Sequence, residues 1–99
     1  MTTVEIPQAK HKGDLLSAIG ETLRSERTER GLTLKQVAKG AHVSVSYLAE
    51  IERAEKDPSS RVLENIARGL DMEVSELLIR IAISLTPAPV VPVANSLAA

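Results

Sequence analysis

Apolar side chains recur at helical spacing along most of the chain, and the runs are separated by residues that start or stop helices. Leu15, Leu16, Ile19 and Leu23 form the first run. Asp14 ahead of it can accept from the first unpaired amides, and Gly31 supplies a stop, so a helix is predicted from about Asp14 to Arg30. Thr33 followed by Gln36 has the spacing of a capping box, opening a short helix from Leu34 to about Gly40 that buries Val37, Ala38 and Ala41. Ser44 caps a third helix, Val45 to about Ala54, with Leu48 and Ile51 inward. After Pro58, Ser59 caps a fourth helix with Val62, Leu63, Ile66, Ala67 and Leu70 on one side. A fifth begins near Val74 and runs through Leu77, Leu78, Ile81, Ala82 and Leu85. No alternating run bounded by hairpin residues competes, so the class is all-α, with five short helices.

The flanks differ. Residues 1–13 carry no periodic apolar set and read as a flexible N-terminal arm. Residues 86–99, TPAPVVPVANSLAA, hold three of the five prolines and no charged side chain, so they read as an extended, disordered tail. The domain proper is placed at 14–85.

Composition narrows the chemistry. The 99 residues contain no cysteine and two histidines, which removes disulfides and a four-ligand zinc site; no metal or other cofactor is expected. No run reaches the length of a membrane span and no signal-peptide pattern follows Lys10 and Lys12, so a cytoplasmic protein is expected. There are no paired carboxylates in an apolar setting, nucleophile elbow or phosphate-binding glycine loop, so an enzyme is not expected. A net charge of −1 and one aromatic residue, Tyr47, argue against a nucleic-acid binder on composition alone. Counted by segment, residues 21–61 hold eight basic and seven acidic side chains and residues 62–99 hold two and four, so much of the acidity lies outside the central helices.

Two short helices joined by Ala41, His42 and Val43, behind a packing helix, form a helix-turn-helix arrangement. Its stretch from Gly31 to Leu78, with Gly-Leu-Thr, Val-Ala, Val-Ser, Tyr-Leu, Ile-Glu-Arg and Pro-Ser in ungapped order, resembles the phage repressor and Cro (xenobiotic-response-element) family. That resemblance implies a lambda-repressor-like, DNA-binding fold whose recognition helix is Val45 to Ala54. The base-reading positions it implies are Val45, Ser46, Ala49 and Glu50. Of these, Ser46 can bond a base edge, Glu50 can accept from a cytosine amino group and Val45 can pack on a thymine methyl. Helix N-termini would anchor phosphates, helped by Lys35, Gln36, Ser44, Tyr47, Arg53, Lys56, Ser60 and Arg61. With no bidentate arginine among the base-reading positions, part of the specificity is expected from DNA shape, Arg53 or the arm. The resemblance further implies a structural ion pair between Arg27 and Glu52. Where the family usually has glycine, this chain has His42 and Ala54: His42 tolerates a left-handed backbone, whereas Ala54 is either mildly strained there or lets the helix run on. His42 as a turn residue is favoured over a metal ligand or pH switch.

A single recognition helix with so little base-reading chemistry binds weakly, so a homodimer on a palindromic double-stranded site is expected, joined through Leu77, Leu78, Ile81, Ala82 and Leu85. The alternative is that these residues only complete the core. Leu97, Ala98 and Ala99 resemble the end of bacterial degradation tags read by Clp ATPase/protease; the alternative is an inert tail. With the string from Tyr47 to Ser60, this ending resembles the actinobacterial Clp gene regulators, which implies activation of Clp protease genes, turnover by Clp, a nucleoid-associated location and contact with RNA polymerase. A competing reading is an antitoxin-like or adaptor module that engages another protein.

Overall fold

The computed structural model describes residues 14–85, and within them five helices and no strand are present. They are α1 (Leu15–Glu29), α2 (Leu34–Ala41), α3 (Val45–Glu52), α4 (Ser60–Gly69) and α5 (Val74–Leu85). The expected arm, tail and Leu97-Ala98-Ala99 lie outside the described residues. No described helix is long and apolar enough to cross a membrane.

The helix starts follow the capping logic of the sequence. Asp14 accepts from the Ser17 amide at 3.1 Å, and Ser44 and Ser59 do the same for Tyr47 and Val62 at 3.0 and 3.1 Å. At α2 the box closes in both directions: Thr33 Oγ1 accepts from the Gln36 amide at 3.0 Å, and Gln36 Oε1 accepts from the Thr33 amide at 2.8 Å.

The helix ends share one device that the sequence shows only once. At Gly31, His42, Ala54 and Asp71 the backbone turns left-handed, with φ of 69°, 57°, 62° and 64°. The amide of the next residue then reaches back five positions, Leu32 to Arg27, Val43 to Ala38, Glu55 to Glu50 and Met72 to Ala67, at 2.8–3.0 Å. This is the Schellman termination, which glycine adopts without strain. Only Gly31 is glycine. The third helix therefore stops at Glu52 rather than running to Ala54, and Ala54 takes the strained conformation.

Leu23, Val37, Leu48, Ile51, Ile66, Leu70 and Leu77 are fully buried at the centre. Leu15, expected on the inner face, is 54% exposed, whereas Ala18 and Ile19, at 0% and 6%, begin the buried face of α1. Glycines set two close approaches. A Cβ on Gly20 would lie 2.6 Å from the Glu52 carbonyl oxygen and 2.7 Å from that of Ile51, so α1 rests directly on the backbone of α3. A Cβ on Gly40 would lie 2.9 Å from Gly69 Cα, which fixes α2 against α4 in the same way. Between α1 and α5, Glu26 is buried and receives Arg30 at 3.4 Å and Arg80 at 3.5 Å.

Candidate nucleic-acid interface

Helical spacing divides α3 into two faces. Leu48 and Ile51 point inward at 0% exposure. Ser46, Ala49, Glu50 and Arg53 follow i, i+3, i+4, i+7 spacing and form the opposite stripe, with Val45 at its edge and 43% exposed. Ser46 and Arg53 are exposed, and Ala49 and Glu50 are half-buried.

The back of α3 is locked to α1. Arg27 Nε and Nη2 donate to Glu52 Oε2 and Oε1 at 2.7 and 3.0 Å, a bidentate pair, and Arg27 Nη1 donates to the Leu32 carbonyl at 3.0 Å. Both side chains are largely buried. The hydrogen bond to Glu52 raises the Arg27 pKa against the opposing effect of burial, so the guanidinium keeps its charge in this largely buried setting. One guanidinium thus ties α1 both to α3 and to the turn before α2.

The expected phosphate ligands occupy varied settings. Lys35 and Gln36 are exposed in the first turn of α2, and the Gln36 side-chain oxygen is engaged in the cap, leaving its amide nitrogen as donor. The Ser44 hydroxyl accepts from the Tyr47 amide and keeps its own proton to donate. Tyr47 is half-buried and packs on the core, so it contributes less free surface than expected. Ser60 and Arg61 are exposed in the first turn of α4, and Lys56 is exposed in the preceding loop. Arg53 is not free: its Nε and Nη2 donate to Glu55 Oε2 and Oε1, both at 3.0 Å.

A shallow groove beside the stripe is lined by Arg24, Arg27, Leu34, Ala49, Glu52 and Arg53. Arg24, which the sequence did not single out, stands on its α1 wall and makes no ion pair among the described residues. Helical spacing from Arg27, one turn away, was the only signal for it. Among the described residues, no group of three or more His, Cys, Asp or Glu side chains could hold a metal ion.

The expected dimer surface needs correction. Leu77 and Ile81, at 0% and 4% exposure, belong to the core and have no surface to offer a partner, and Leu85 is half-buried against that core. Leu78 and Ala82 do face outward, joined by Ile79 and Ile83 at 59% and 66% exposure. Because α5 is apolar nearly all round, periodicity could not tell its faces apart.

A helix pair with a capped, buried scaffold and an outward polar stripe is the DNA-binding helix-turn-helix, and the chain belongs to the helix-turn-helix domain family, matching it over residues 18–78. Within that family it is similar to the transcriptional regulator ClgR of Mycobacterium tuberculosis, 44% identical over 61 residues that cover 62% of this chain and 54% of the relative. The chain thus spans about half the length of that curated relative. The crystal structure of the clp gene regulator ClgR from Corynebacterium glutamicum superposes with a TM-score of 0.68 at 39% identity, covering 73% of this chain and 94% of that one. The restriction-modification controller protein C.Esp1396I, solved as a tetramer with its 35 base-pair operator, shares the fold at TM-score 0.68 and 24% identity, over 72% of this chain and 93% of its own. The resemblance to repressor-type helix-turn-helix domains and Clp gene regulators is borne out, and these relatives are regulators rather than enzymes.

Proposed function

We propose that the protein is a cytoplasmic, sequence-specific transcriptional regulator that binds palindromic double-stranded DNA as a homodimer. The observation that carries this reading is α3 itself. Its inner face and the Arg27–Glu52 pair fix it rigidly, while Ser46, Ala49, Glu50 and Val45 are left on a surface that no described element covers. Ser46 reads a base edge, Glu50 accepts from a cytosine amino group, and Val45 and Ala49 meet thymine methyls. Lys35, Gln36, Ser44, Lys56, Ser60 and Arg61 hold the backbone from the starts of α2, α3 and α4. The exposed apolar strip Leu78, Ile79, Ala82 and Ile83 joins two copies so that their α3 helices enter successive major-groove turns.

Fragments selected from genomic DNA test this directly. The expected result is a palindromic site bound with a steep salt dependence, reduced to weak half-site binding by Ile79→Lys. A salt-insensitive complex with a protein partner, and no selected duplex, would favour the adaptor-type reading instead. By similarity to the clp gene regulator ClgR, the regulated genes include those of Clp protease; RNA polymerase is the partner that activation of these genes would require. The Leu97-Ala98-Ala99 ending then makes the regulator itself a Clp substrate. Ala98→Asp with Ala99→Asp should lengthen its half-life in a Clp-competent cell, and an equal half-life would remove the degron.

A further inference from the structure

We propose that Glu55 is a built-in competitor of DNA phosphate for Arg53, lowering the sequence-independent part of the affinity for duplex DNA. The inference rests on the DNA-binding reading above and adds a residue that neither the motif nor the base-reading set includes.

Arg53 is the one basic side chain between Val45 and Arg53, and it stands on the outward stripe. Two residues apart in a helix, side chains diverge; here the left-handed Ala54, at φ 62°, turns the chain back on α3. The Glu55 amide then reaches the Glu50 carbonyl at 2.8 Å, and the Arg53 and Glu55 side chains run side by side. The result is a bidentate ion pair, 3.0 Å at both contacts, with each side chain more than half exposed. Glu50, one turn earlier, adds a second negative charge near the guanidinium. The stripe therefore presents no net positive charge in the free protein.

An exposed ion pair is weak enough for a phosphate to displace. Displacement leaves the Glu55 carboxylate close to the incoming phosphate, where like charges repel. The groove beside Ala49 shows what is being withheld. Its other walls carry Arg24, without an ion pair among the described residues, and Arg27, neutralised by Glu52. Release of Arg53 would place a second available guanidinium beside Arg24. Sequence-independent binding consists almost wholly of such phosphate contacts, so it is the part most affected.

The test is binding of the full chain to random-sequence duplex between about 50 and 200 mM salt. The proteins compared are wild type, Glu55→Gln, Arg53→Gln and the double variant. Glu55→Gln should bind more tightly, with a log–log salt slope steeper by about 0.9 per protomer, and the gain should vanish when Arg53→Gln is added. An unchanged slope in Glu55→Gln, or a gain that survives loss of Arg53, would overturn the proposal. Wild type binding no duplex at any salt would instead overturn the DNA-binding reading on which it rests. Both residues exchanged, Arg53 and Glu55, are exposed, so equal melting temperatures are the expected control.

Discussion

The two faces of α3 differ in every respect that matters for a mutation. The inner face is apolar, fully buried and backed by a bidentate ion pair, so it decides whether the helix is held in place. The outer face carries Ser46, Glu50 and Arg53 and lies off the core, and it is the face proposed to read DNA. On the proposed function, these eight residues carry stability and recognition on opposite sides, and the two can be varied separately.

Glu52→Ala should break the scaffold side most severely. Loss of the carboxylate strands a largely buried Arg27, at a cost of about 3 kcal/mol, visible as a lower denaturation midpoint with unchanged slope. Gly20→Ala comes next. The added Cβ meets two backbone carbonyls that cannot swing aside, so overpacking of about 1–3 kcal/mol should exceed the gain of about 1 kcal/mol from alanine's helix propensity. A smaller and opposite effect is expected at the end of the helix. Ala54→Gly relieves a left-handed backbone and should stabilise by about 1 kcal/mol at most, raising the melting temperature without changing the DNA site. A melting temperature unmoved by Glu52→Ala would show that the inner face does not depend on the ion pair.

The sequence told the two faces apart well because each rests on local chemistry. Caps at Asp14, Thr33, Ser44 and Ser59 announce themselves by residue type and spacing, and Leu48 and Ile51 fall on one side of any helix that Ser44 begins. The Arg27–Glu52 pair was legible only through the family resemblance, since nothing local links residues so far apart in the chain. Three helix ends were harder. His42 and Ala54 were open to question only because the family usually has glycine there, nothing marked Asp71, and the Arg53–Glu55 pair follows from the left-handed turn at Ala54. In α5 the difficulty was different. Leu77, Leu78, Ile79, Ile81 and Ile83 spread round all of the helix but the narrow stripe of Glu76, Arg80 and Ser84, so core and surface among them separate only once α1 and α4 are packed against it. The net charge of −1 was uninformative because a total does not say where charges lie: residues 62–99, outside α2 and α3, hold four acidic and two basic side chains.

The claim that recognition resides on the outer stripe of α3 is tested most directly by selecting bound genomic fragments with wild type and with Ser46→Ala and Glu50→Ala. Both variants should keep stability within about 0.5 kcal/mol of wild type, because the exchanged side chains lie off the core. Each should alter the preferred base at its own position, Glu50→Ala by relaxing the choice of cytosine, while binding elsewhere in the site is retained. An identical selected site for all three proteins would contradict the account.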